Sequence, residues 1–198
     1  RDQFVVRSLP SQELRGDGTT FSWDGKDDTG DVVPDEAYSV RLKLGSAEGE
    51  AVYDPGKGFV PAAKALSEII YSRQDGVLSY RLERASRVHI QAGQAKTDPK
   101  GGEPQGPGLR TLVDRQPRTA GAVIEKWGGF DESGQIYVPD LPDFAVAVFT
   151  TSLPENSMIT VGNRGRAFPE YALERRPRAA TQPRTMAGDE HRHHRGLN

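Results

Sequence analysis

Four carboxylates, Asp24, Asp27, Asp28 and Asp31, stand within eight residues, and hard cations such as calcium favour oxygen ligands gathered in this way. Their order does not match the D-x-[DN]-x-[DN]-G loop that wraps calcium. An aspartate beside a glycine also caps a turn through its own side-chain oxygen, and that role accounts for the cluster better. A second candidate lies near the C-terminus, where His191, His193 and His194 sit in His-Arg-His-His-Arg. Imidazoles this close can share a borderline divalent metal, with only Asp189 and Glu190 nearby as outer support. A solvated basic tail, or a contact with an acidic partner, is the reading preferred for them. His89 has no serine or carboxylate partner in a recognisable motif, and the sequence contains no HExxH, no phosphate-binding glycine loop and no nucleophile elbow. The expectation is a protein without catalytic activity and without a cofactor.

The elements that carry the aspartates repeat. Residues 19–42 read TTFSWDGKDDTGDVVPDEAYSVRL and residues 123–148 read VIEKWGGFDESGQIYVPDLPDFAVAV. Trp23 and Trp127, Gly25 and Gly129, Asp27 and Asp131, and Gly30 and Gly134 match at a spacing of 104. Pro34 then matches Pro139 after a one-residue insertion, and Tyr38 matches Phe144 after another. Gly128 and Gln135 replace Asp24 and Asp31 in the second copy, so the acidic positions vary while the turn residues persist. Asp and Gly in this order make a tight turn, the tryptophan closes an apolar core beside it, and each proline marks a strand entry.

The flanks alternate as half-buried strands do. Tyr38, Val40, Leu42 and Leu44 share one face, as do Phe144, Val146 and Val148 in the second copy. Residues 4–7, 19–23, 77–82 and 87–91 are further strands, with Val88 and Ile90 inward and His89 outward. Residues 61–70 are the one stretch suited to a short helix, although the Ile69-Ile70-Tyr71 end reads equally as strand. Residues 96–108, KTDPKGGEPQGPG, form a polar surface loop.

The Trp-Asp-Gly turn with its flanks resembles the immunoglobulin-like domain of the flagellar hook-capping protein, a module also appended to many secreted bacterial proteins. Arg7, Leu9, Gly16 or Gly18, Trp23, Asp24, Gly25, Asp27, Gly30, Pro34, Tyr38 and Leu42 carry the resemblance in the first copy. In the second, residues 78–82, 87–90 and 109–113 add the opening strands, with departures at Gly128 and residues 141–143. The resemblance implies an all-β protein of two immunoglobulin-like β-sandwich units in tandem. The expected divisions are an incomplete unit at 1–46, a linker at 47–66, a second unit at 67–162 and an extended basic tail at 163–198. Such modules occur on unrelated proteins, so fold alone does not give function.

Composition and charge narrow the role. Charged residues make up 27% and hydrophobic ones 35%, with 22 Gly and 14 Pro, as in a soluble protein rich in turns. Without cysteine there is no disulfide, zinc-thiolate site or thiol nucleophile. Residues 163–198 contain eight Arg against Glu170, Glu174, Asp189 and Glu190, a tail of +4 on a body of −6. The tail is therefore expected to dock other protein chains, through Arg164, Arg166, Arg175, Arg176 and Arg178. An acidic body argues against nucleic acid, and a membrane would be met only through a partner or surface charge. The sequence starts at Arg1 rather than Met, which leaves a cleaved leader or a fragment open, and the expected location is periplasmic or extracellular. The function expected is a structural or docking subunit. Two alternatives are a module of a secreted or surface protein that binds carbohydrate or another ligand through Tyr53, Phe59, Tyr137 and Tyr171, and a metal-binding accessory subunit using the terminal histidines.

Overall fold

A computed structural model describes residues 4–16, 18–95 and 108–175 of the chain. In chain order its elements are β1 (Ala37–Tyr38), β2 (Leu42–Ser46), β3 (Gly49–Tyr53), β4 (Ala63–Leu66), β5 (Ile69–Ser72) and β6 (Val77–Leu82). They continue with β7 (Ser86–Gln94), β8 (Arg110–Arg118), β9 (Gly121–Lys126), β10 (Phe144–Ser152), β11 (Met158–Ile159) and a single short helix, α1 (Phe168–Arg175). The fold is all-β, as the alternating flanks predict.

Two antiparallel sheets, ordered β5-β6-β9 and β4-β10-β7-β8, enclose the largest core. Period-two alternation in β6 and β7 turns Leu78, Tyr80 and Leu82 from one sheet toward Val88 and Ile90 from the other, and Val113 and Val148 complete the cluster. Burying one such aliphatic side chain contributes about 1.5–3 kcal/mol. The polar groups that enter this layer are paired: Thr150 Oγ1 donates to the Lys64 carbonyl at 3.1 Å, and Ser152 Oγ accepts the Ala62 amide at 2.8 Å. Both bonds fasten β4 to β10.

Residues 61–70 form β4 and β5 instead of a helix. The pairing of Ala63–Leu66 with Val148–Thr151 supplies tertiary hydrogen bonds that local helix propensity cannot outweigh. The same pairing places the end of the expected linker in the four-stranded sheet, while β2 and β3 within residues 42–53 form an isolated hairpin exposed on both faces. Leu44, expected inward, is therefore exposed.

A second, smaller core joins the two ends of the described chain. Val33, Tyr38 and Tyr171 form its buried centre, with Phe4, Val6, Trp23 and Phe168 packed around them. β1 pairs with β11, and Thr160, Asn163 and α1 follow along the same surface. The segments 4–7 and 19–23 are irregular rather than strands, because their neighbour is the turn: the Asp28 amide donates to the Val6 carbonyl at 3.0 Å and the Ser8 amide to Asp28 Oδ1 at 3.0 Å. The tail expected to be extended from Asn163 is helical over Phe168–Arg175. Phe168, Tyr171 and Ala172 follow helical spacing, and the small core gives that face something to cover. Arg87 and Glu36 bridge the two cores at 2.7 Å.

Candidate docking site at the first turn

Both tryptophan turns close with the same bonds. Trp23 Nε1 donates to the Lys26 carbonyl at 2.8 Å and Trp127 Nε1 to the Phe130 carbonyl at 2.9 Å. The Gly30 amide donates to the Asp27 carbonyl and the Gly134 amide to the Asp131 carbonyl, each at 3.1 Å. The Val33 amide reaches the Gly25 carbonyl at 2.9 Å, as the Val138 amide reaches that of Gly129 at 2.8 Å. Arg7 faces Asp28 at 4.0 Å, and Arg110 faces Glu132 at 3.3 Å. Pro34 and Pro139 are both fully buried; Pro34 stands ahead of β1, but Pro139, expected at a strand entry, lies instead in a 3-10 turn over Val138–Asp140, where a proline at the first positions fits because no amide donor is needed.

Gly129 tests the second turn most directly. Its φ is +86°, and an added Cβ would fall 2.3 Å from the Tyr137 ring, itself packed on Phe130 at 5.5 Å. Gly134 also has a positive φ, +74°, but open space around it. Gly129→Ala is expected to cost about 2–4 kcal/mol and Gly134→Ala only about 1 kcal/mol, read from urea midpoints at constant slope. Equal losses would show that conformation alone, and not contact with Tyr137, decides these positions.

The turns differ in what covers the aspartate. Asp131 is capped locally: its Oδ1 accepts the Gln135 amide at 2.9 Å and the Ile136 amide at 3.0 Å, and its Oδ2 accepts Ser133 Oγ at 2.7 Å. The backbone bond from Ile136 and then the Ser133 hydroxyl hold its pKa below the ordinary value. Asp27 Oδ1 accepts the amides of Thr29 and Asp31 at 2.9 and 3.0 Å and the Thr29 hydroxyl at 2.7 Å. Its Oδ2 is met from the other end of the described chain, by the Tyr171 hydroxyl at 2.8 Å and by Arg175 Nη2 at 3.4 Å.

Tyr171 is 1% exposed, edge-on to Phe4 at 6.1 Å, with Arg166 and Arg175 over its ring at 5.1 and 5.6 Å. Arg175 also pairs with Asp31, Arg166 with Glu174, and Arg164 approaches Asp35 at 3.8 Å. Of the five arginines expected to dock partners, Arg166 and Arg175 thus make contacts within this chain, and Arg164 remains largely exposed. Arg176 and Arg178 lie outside the described residues, as do His191, His193, His194 and residues 96–107.

Burial would raise the Asp27 pKa, but the Thr29 and Tyr171 hydroxyls and the Asp31 and Thr29 amides outweigh it and hold the group at about 2. Such a carboxylate is a fixed anion and a poor base, suited to recognition rather than proton transfer. A pKa depressed in the folded state stabilises the fold above the unfolded value of 3.8, and the contribution disappears as pH falls through about 2. The loss is expected to be roughly 1–2 kcal/mol, and Asp27→Asn should flatten the stability curve between pH 4 and 2. An unchanged curve in that variant would remove Asp27 from the acid response.

The four aspartates do not converge. Asp24 Oδ1 accepts the Lys26 amide at 3.0 Å, Asp28 faces Ser8 and Arg7, and Asp31 faces Arg175. Among the described residues no group of three or more His, Asp or Glu has metal-holding geometry. Of the aromatics considered for carbohydrate, Tyr171 is buried, Tyr137 packs on Phe130, and Tyr53 accepts from Asn156 Nδ2 at 2.9 Å, so the four do not share an exposed face. Trp127 is buried as expected, but Trp23 is only half-buried. His89 points outward and meets Asp114 at 3.1 Å.

Tyr171 as a partner of the turn was not anticipated from sequence. Phe168, Tyr171, Ala172 and Arg175 recur at helical spacing, with Pro169 in the first turn, a signal outweighed by the polar composition of the tail.

Fold and site together define an all-β chain built around two Trp-Gly-Asp-Gly turns, with no helix among the described residues long and apolar enough to cross a membrane. A stretch of 55 residues, 28% of this chain, is 36% identical to the basal-body rod modification protein FlgD of Salmonella typhimurium, and equally to that of Salmonella typhi. The stretch is 24% of each relative, so the chain spans about a quarter of the length of the curated relatives it matches. This agrees in part with the flagellar resemblance carried by the turn residues. No family model matches the chain, and no solved structure matches it significantly.

Proposed function

We propose that this protein is a non-catalytic structural or docking subunit of a larger extracytoplasmic or membrane-associated assembly, built from two immunoglobulin-like units of which the first is closed by the C-terminal segment. The observation that carries this reading is the Asp27 site, where a buried anion is used to anchor α1 and so fixes where the basic tail leaves the body. The partial likeness to a basal-body protein supports a structural role. Beyond Arg175, the remaining tail carries Arg176, Arg178, Arg184, Arg192 and Arg195 against Asp189 and Glu190, a charge surplus that suits acidic protein surfaces and gains mainly association rate and specificity.

Affinity purification of the intact chain from its native source tests this reading. Replacing Arg164, Arg176 and Arg178 by Ala is expected to reduce recovered neighbours at least tenfold while the melting temperature stays unchanged. Full recovery of every neighbour would overturn the docking role of the tail.

A further inference from the structure

The smaller core is assembled from two pieces of chain that the sandwich separates. One piece, residues 4–38, supplies Phe4, Val6, Trp23, Val33 and Tyr38, and the other, residues 158–175, supplies β11, Asn163, Phe168 and Tyr171. The seam between them is continuous and polar as well as apolar. The Thr160 amide donates to the Glu36 carbonyl at 3.0 Å, and the Thr160 hydroxyl accepts the Glu36 amide at 3.1 Å. Asn163 donates from its amide to Asp35 Oδ1 at 2.6 Å and from Nδ2 to the carbonyls of Val32 and Val33 at 3.1 and 3.2 Å. Tyr171 and Arg175 then close on Asp27 and Asp31. Every bond of this seam joins positions more than 120 apart in sequence.

The closing piece is joined to the sandwich by one short connection, residues 153–157. Leu153 ends it on the sandwich side, with its amide bonded to the Ala85 carbonyl at 3.0 Å. Glu155 and Asn156 are exposed, and Asn156 holds φ at +57°, in the left-handed region that a non-glycine residue adopts at some cost. A connection of this kind determines whose closing piece is used, since the receiving surface makes identical contacts with an identical segment from any chain.

The geometry points to exchange of residues 158–175 between two copies of this chain, so that the partner's Tyr171 and Arg175 fill the Asp27 site. The inference rests on the structural-subunit reading and supplies it with a way of linking subunits. Exchange costs no interface, only the difference between a tethered and a free segment. A short tether presents its segment at an effective concentration on the order of mM. Closure within one chain therefore prevails in dilute solution, and exchange prevails where chains are crowded side by side in an assembly or where the connection is too short to fold back. The acidic receiving surface and the basic segment favour encounter, because Arg164 approaches Asp35 and Arg175 meets Asp27 and Asp31.

The absence of native cysteine makes the test direct. Full-length Asp31→Cys and full-length Arg175→Cys, whose native side chains touch, are mixed, unfolded, refolded together at high concentration and oxidised. The expected product is a disulfide-linked heterodimer at least tenfold more abundant than that from Lys126→Cys mixed with Arg175→Cys. Deleting Glu155 and Asn156 from the cysteine-free chain should in addition move it from monomer to dimer by light scattering. Equal cross-linking in both mixtures would overturn exchange; if the shortened chain does not fold, the cysteine pairs alone decide between the two outcomes. Recovery of native neighbours is measured separately, so loss of exchange with retained neighbours overturns this inference and leaves the docking role standing.

Discussion

Tyr171→Ala is expected to unfold the smaller core while the sandwich remains intact. The substitution removes a ring that is 1% exposed and packed against Phe4 and Phe168, and it takes away the hydroxyl that holds Asp27 Oδ2. Truncating a buried aromatic side chain costs about 3–5 kcal/mol, and a core with three buried side chains at its centre has little in reserve. Amide hydrogen exchange gives the readout: the Val33 and Asp31 amides, bonded to Gly25 and Asp27, should lose protection, while those of Val88 and Ile90 in β7 keep theirs. Tyr171→Phe separates packing from the hydroxyl, with an expected loss of about 1–2 kcal/mol and an acid transition shifted to higher pH, since one of the bonds that depress Asp27 is gone. Retained protection at Val33 in the alanine variant would mean that α1 is a passenger on this surface rather than part of its core.

Trp127→Ala is expected to be the most damaging change in the second turn and to cost clearly more than Trp23→Ala. Trp127 is 6% exposed and lies against Tyr71 and Phe144 at 5.0 and 6.2 Å, in a cluster with Ala92 and Val138 that continues into the main core. Its removal leaves a cavity beneath three elements, at a cost of about 3–5 kcal/mol. Trp23 makes the same indole hydrogen bond but is half-buried, with Tyr38 at 5.2 Å as its main aromatic neighbour, so its loss should cost about 1–2 kcal/mol. Denaturant unfolding of the two variants checks the contrast. Matching losses would imply that the repeated hydrogen bond, and not the depth of burial, sets the importance of the tryptophan.

The two turns were legible because their determinants are local. Asp27 and Asp131 cap amides two to five residues ahead, and Gly30 and Gly134 close bonds three residues back, so residue type and spacing suffice to specify them. The strands β6 and β7 were legible for the same reason, since alternation of Leu78, Tyr80, Leu82, Val88 and Ile90 already sorts the side chains to one face. β4 was not, because the Ala-Lys-Ala-Leu of residues 63–66 favours a helix by itself and takes strand form only through its pairing with β10. The fate of Leu44 was hidden likewise: alternation gives a face, but only tertiary structure provides something for that face to cover.

Taken alone, the 198 residues determined that the protein is all-β, that one tight turn recurs 104 positions later, and that positive charge collects at the C-terminus. These properties reside in hydrogen-bond chemistry over a few residues and in simple periodicity. Only the tertiary structure decided which aspartate would be answered from afar. Asp27 and Asp131 have the same local setting, each met by a hydroxyl two residues on, yet Asp27 is also met by Tyr171 and Arg175. That difference arises from a contact across 144 positions, which depends on the path of the intervening sandwich and is encoded in no single stretch of the chain.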